Sequence, residues 1–126
     1  MAIQWKDNRL HKEWAELPVH NRRLRKVLDA LSTFAELELG KDLVITCLYR
    51  DPAENAAVGG IANSPHMSWE AVDLRSSTFT QEEIDRMLAF LNCFSFRNGK
   101  KTAICHAVAG GAKHFHIQVA KAGKGA

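Results

Sequence analysis

The segment His114-Phe115-His116-Ile117-Gln118-Val119 alternates polar and apolar side chains without a break. Successive side chains of a strand point to opposite faces. The pattern therefore predicts a strand with Phe115 and Ile117 in a core and His114 and His116 together on the other face. Val72-Asp73-Leu74 within AVDLR carries the same signature. Its aspartate must face away from its two apolar neighbours. Two strands of this kind imply a sheet with one covered face and one face bearing imidazoles and a carboxylate.

The remaining elements supply the cover. From Asn21, the residues Leu24, Val27, Leu28, Leu31, Phe34, Ala35 and Leu37 recur at three- and four-residue spacing, which predicts an amphipathic helix ending near Gly40. Leu43–Tyr49 is rich in β-branched and aromatic residues and reads as a buried strand. Arg50–Trp69 contains Pro52, Gly59-Gly60, Asn63 and Pro65 and reads as a long loop, a length usually tied to function. Thr80 followed by Glu83 forms a capping box, and Ile84, Met87, Leu88 and Leu91 mark the helix behind it. Lys101–Val108 and His114–Val119 are expected as strands joined by a hairpin at Ala109-Gly110-Gly111-Ala112, with AKAGKGA fraying after them. The order helix, strand, loop, strand, helix, strand, strand predicts an α+β fold, a small mainly antiparallel sheet with helices packed on one side. No internal repeat or linker divides the 126 residues, so residues 1–126 are expected to form a single domain.

Composition narrows the function classes. With 46% hydrophobic and 25% charged residues the chain is too apolar for disorder. Seventeen basic against 14 acidic residues give a net charge of +3. That excess permits a polyanionic partner without demanding one, and nucleic acid is not expected. The cluster Arg22-Arg23-Leu24-Arg25-Lys26 is expected as a solvated helix face, with at most weak attraction to anionic wall polymers. Cys47, Cys93 and Cys105 lie in apolar stretches, form no CxxC pair and are expected to act as small hydrophobes. MAIQWKDNRLHKEW is too charged for a secretory signal, and no run approaches a membrane span. Synthesis in the cytoplasm, with any export by another route, is the expectation.

The candidate chemistry lies on the polar parity. Two histidines at i, i+2 of a strand suit metal binding, or one ligand beside a proton-handling group, or simply an exposed pair. Asp73 needs a cation if covered, either a metal or an arginine such as Arg75 or Arg50. One His from the Ser64-Pro65-His66 segment, Asp73 and one His of the hairpin would give three protein ligands, the arrangement of catalytic zinc with an open fourth position. Imidazoles disfavour calcium.

Tyr49-Arg50, Asn55-Ala56-Ala57-Val58-Gly59-Gly60, Ser64-x-His66, Asp73 and His114-x-His116 together resemble the zinc D-alanyl-D-alanine peptidase and hedgehog-like fold family, whose central pattern is S-x-H-x-x-G-x-A-x-D. The resemblance runs from about Val44 to Val119. It implies zinc bound by His66, Asp73 and His116, and substrates that are short peptidoglycan stem peptides with D-Ala-D-Ala or L-Ala-D-Glu linkages. It further implies that Arg50 holds an oxyanion or a substrate carboxylate, and that Ser64 either hydrogen-bonds the peptide or caps the turn at Pro65. An enzyme of this kind without a signal sequence suits a phage or prophage lytic enzyme, acting on the wall after release or from a virion.

Two positions depart from the family pattern. Trp69 stands where the pattern has Gly, and either walls the cleft or packs structurally. Lys113 stands where many members carry an acidic general base three residues before the last ligand. His114 is the expected proton-handling residue instead, with His106 in reserve. The rival expectation is a metal-binding domain without catalysis, serving a phage tail or wall docking.

Overall fold

The computed structural model describes residues 3–97, 99–107 and 113–122. The strands are β1 (Ile3–Trp5), β2 (Leu43–Cys47), β3 (Ala71–Arg75), β4 (Ala103–Ala107) and β5 (Lys113–Gln118), and the helices are α1 (Asn8–His20), α2 (Arg22–Phe34), α3 (Pro52–Ala57) and α4 (Gln81–Leu91). The sheet order is β1-β2-β3-β5-β4. β1 runs parallel to β2, and the other pairs are antiparallel. The α+β architecture is the one expected.

The parity rule holds through the sheet centre. Val72, Leu74, Phe115 and Ile117 are fully buried in one core with Leu24, Leu28 and Leu31 of α2 and Met87 and Leu91 of α4. Thr80 and Glu83 close the capping box of α4 as expected. The π-helical turn Ala35–Leu39 continues α2 and ends at Gly40, whose φ of 65° needs glycine.

Several expectations are corrected. The charged N-terminus forms β1 and α1, two elements absent from the expected order, with Leu10, Trp14 and Leu17 buried. The loop at 50–69 is half structured. Asp51 and Glu54 form a capping box that starts α3, and Pro65–Ser68 is a 3₁₀ turn. β2 and β4 are shorter than read, and β5 spans Lys113–Gln118. The basic cluster is only partly solvated: Arg25 lies 4.1 Å over the Trp14 ring and Arg23 5.0 Å over Phe96. Cys93 is exposed rather than a core hydrophobe, and all three cysteines are free thiols. The Gly-Gly hairpin at 109–112 and the last four residues lie outside the described residues. No described helix is long and apolar enough to cross a membrane.

Candidate metal centre

The open face of the sheet carries a row of side chains set by strand register. Cys47 on β2 pairs with Asp73 on β3, Asp73 with His116 on β5, and His116 with Ile104 on β4. The next register position places His114 beside His106. Their rings lie 5.3 Å apart.

His66 reaches this row from outside the sheet. Ser64 Oγ accepts from His66 N at 3.3 Å and caps the 3₁₀ turn, while Arg50 N donates to His66 O at 3.2 Å. These bonds tie the turn to the end of β2. The turn ends at Trp69, in the left-handed region with φ 62°. A bulky residue is strained there, which gives the family's glycine at this position a physical reason. The indole is offset by packing: it stacks 4.1 Å from the His20 ring and 4.8 Å from Tyr49 and is 9% exposed. Of the two expectations for Trp69, the packed one is observed.

The three expected ligands converge. His66 Nε2 lies 3.3 Å and His116 Nδ1 3.1 Å from the same oxygen, Asp73 Oδ1. Ligands bound about 2.0–2.1 Å from a tetrahedral zinc lie about 3.3–3.4 Å from one another, so both spacings fit one ion. The outer nitrogens are occupied as a metal site requires: His66 Nδ1–H donates to Leu48 O at 2.9 Å, and His116 Nε2 faces Gln118 Oε1 at 3.3 Å. With a metal bound, these acceptors would leave Nε2 of His66 and Nδ1 of His116 free as lone-pair ligands; without it, the same nitrogens can carry N–H groups toward Asp73. The residues fit zinc.

Electrostatics agrees with a site built for a cation. Burial opposes charge on His66, but the hydrogen bond to Asp73, with Cys47 adding to it, pushes its pKa up to about 10. Burial would likewise raise Asp73, yet His116 and His66 hold its carboxyl well below the usual carboxylate range. Without metal, a proton on His66 takes the place of the ion.

The other expected residues share one cleft of about 450 Å³ with the ligands: Arg50, Ser64, His66, Asp73, His114 and His116 all line it. His114 Nε2 stands 3.7 Å from Asp73 Oδ2. Arg50 Nε is buried without a hydrogen-bond partner, and no ion pair joins Arg50 to Asp73 among the described residues, so the pairing considered for it does not form. Lys113 is exposed, its carbonyl accepting from Ser76 Oγ at 2.7 Å, and it does not line the cleft. Gly60 borders the cleft because only glycine fits: a Cβ there would stand 2.0 Å from Asn55 Oδ1.

Two contributors escaped the sequence reading. Cys47 was read as a small hydrophobe, but its Sγ lies 3.7 Å from His66 Nδ1, and Cys47, His66 and Asp73 present donors all within 4.8 Å of one another. A register shift between Ile45 and Cys47 brings the thiol onto the face of Asp73. Plain alternation would have left it in phase with buried Ile45. The thiol sits at the outer nitrogen of His66, away from the one facing Asp73. Glu13 is the second. Buried on α1, it accepts from Tyr49 N at 3.0 Å and from Arg9 Nε at 2.7 Å, holding the chain that leads to Arg50. The only local signal was an acid on the apolar stripe of a helix that was itself not expected.

A family model described as Peptidase M15 matches residues 6–108. That stretch holds Arg50, Ser64, His66 and Asp73 and stops before β5, so the place of His114 and His116 rests on geometry. No curated protein and no solved structure matches the chain.

Proposed function

The chain belongs to the peptidase M15 family of zinc metallopeptidases, and on that premise we propose that it cleaves peptidoglycan stem peptides at a D-Ala-D-Ala or L-Ala-D-Glu type bond. The convergence of His66 and His116 on a single oxygen of Asp73 carries this reading. When bound, zinc supplies Lewis acidity toward the scissile carbonyl and toward water.

The protein's own groups supply the rest. His114 stands at the ligand cluster with Nε2 directed at Asp73 Oδ2, and 22% of its side chain is exposed to the cleft. It can accept a proton at Nε2 and return it to the leaving amine. Arg50 presents a guanidinium with an unpartnered Nε to hold the developing oxyanion or a substrate carboxylate. Ser64 Oγ accepts from His66 N, and its own hydroxyl proton remains available to the peptide. Residues with these roles suit a phage or prophage lytic enzyme acting on the wall after release or from a virion.

Asp73 is the only acidic residue lining the described cleft, which gives the non-catalytic docking reading its one support. A single experiment separates the two. Zinc-loaded protein is incubated with purified peptidoglycan, and new free amines are counted. Wild type is expected to release them, and His114→Ala to release about a hundredfold fewer while keeping stoichiometric zinc. Silence from both proteins across pH 6–9, with zinc retained, would leave the docking domain.

A further inference from the structure

Two cations in the cleft take no part in the reading above. Arg97 and Lys101 line it together with Arg50, so three permanent cations face one carboxylate, and that carboxylate belongs to the ligand set. Their placement follows from topology. Arg50 follows the C-terminal end of β2, and Lys101 precedes the N-terminal end of β4. Because β2 is antiparallel to β3 while β4 and β3 are both antiparallel to β5, these ends lie at the same edge of the sheet. They flank β3 and β5, the strands that carry Asp73 and His116. The cations therefore straddle the metal ligands.

We propose that Arg97 and Lys101 form a second carboxylate subsite, across the ligand cluster from Arg50, so that the protein selects peptides carrying two carboxylates, one for each flank of the cleft. The inference rests on the peptidase reading and adds substrate selection to it. Arg97 is held in place by donating from Nη1 to Lys101 O, a bond within its own loop. It is half-buried, and that burial lowers its pKa, with Glu70 the acid acting against the shift. Glu70 accepts from Ser68 Oγ at 2.6 Å and does not line the cleft. Lys101 is exposed and makes no ion pair among the described residues. This flank thus presents two cations to the cleft and no acid.

The span sets the ligand length. Three inter-strand steps of about 4.8 Å separate β2 from β4, about 14 Å in all, which an extended peptide covers with about four residues. Exposed Val58 and Ile61 on the Arg50 side and Ile104 on the β4 side border the cleft with apolar surface for the intervening alkyl groups.

The test uses zinc-loaded protein and four synthetic peptides: N-acetyl-L-Ala-γ-D-Glu-meso-diaminopimelyl-D-Ala-D-Ala, and three analogues in which one carboxyl at a time is a carboxamide. Amine release gives kcat and KM. For wild type, two of the amidations, one for each flank of the cleft, are expected to lower kcat/KM about tenfold or more, mainly through KM. Arg97→Gln with Lys101→Gln should show the same loss on the free acid and become indifferent to one of those amidations while still sensing the other. Arg97→Lys should keep the preference. The proposal is overturned if the double variant matches wild type on all four peptides, or if it loses equally on all four. If zinc-loaded wild type cleaves none of them, the peptidase reading itself fails and the subsite with it; cleavage without charge preference removes only the subsite.

Discussion

The two faces of the β3–β5 pair are separated by one residue of parity and obey different physics. Phe115, Ile117, Val72 and Leu74 are fully buried and held by packing, with no polar atom to satisfy. Asp73, His114 and His116 alternate with them and are held by hydrogen bonds and charge. The apolar face is non-directional: any shape-filling side chain contributes roughly in proportion to the area it hides. The other face tolerates no such exchange, because each nitrogen must point in one direction and each outer N–H needs its own acceptor. Packing is concentrated on one face and the candidate metal ligands on the other, joined through the same backbone.

That contrast is breakable. Phe115→Ala should cause the largest loss, about 3–5 kcal/mol of unfolding free energy in urea, and zinc binding should disappear only where the fold does. Asp73→Ala should do the reverse, reducing zinc affinity more than about a hundredfold by metal analysis while the protein keeps its far-UV spectrum. If the mutant retains stoichiometric zinc, the ligand set is wrong. Cys47→Ala should leave zinc stoichiometry unchanged, since the thiol meets the outer nitrogen of His66.

Asn21 bridges the two regimes. It caps α2 at Leu24 N, and its Nδ2 donates to Trp69 O at 3.1 Å and Val119 O at 2.8 Å, joining the helices to the His66 turn and the end of β5. Asn21→Ala leaves buried carbonyls unpaired and should cost about 2–3 kcal/mol, read as a shift in the urea midpoint.

The smallest effect is the pH dependence. In metal-free protein the His66 pKa is raised from 6.5 to about 10. Its stabilising contribution is therefore complete below pH about 6.5 and lost as pH rises through about 10. Asp73, held low, contributes above the ordinary carboxylate range and loses that contribution as pH falls. Zinc must displace the His66 proton, so its affinity should rise about tenfold per pH unit between pH 7 and 9, while the chelated protein loses thermal stability toward pH 10. Calorimetry in two buffers of different ionisation enthalpy should count about one proton released. A pH-independent affinity would show that His66 binds zinc from the neutral state.

Much of this was legible from particular residues. The parity of Val72-Asp73-Leu74 and His114-Phe115-His116-Ile117 placed the core face and the polar face correctly, and Thr80 with Glu83 placed the start of α4. The first helix was not legible. Its stripe of Leu10, Trp14 and Leu17 is narrow, interrupted by buried Glu13 and followed by Pro18 inside the helix. α3 was hidden because its capping box sits among prolines and glycines that read as turn.

What the sequence determined by itself was which side chains share a face of β3 and β5, because alternation along an unbroken strand is a property of the local backbone. What only the tertiary structure decided was which faces meet. The register shift beside Cys47, the carbonyl of Leu48 that orients His66, and the set of the strands that flanks Asp73 with cations all join residues far apart in the chain. Such contacts depend on how the whole chain closes on itself, and no local pattern encodes the distance between two loops.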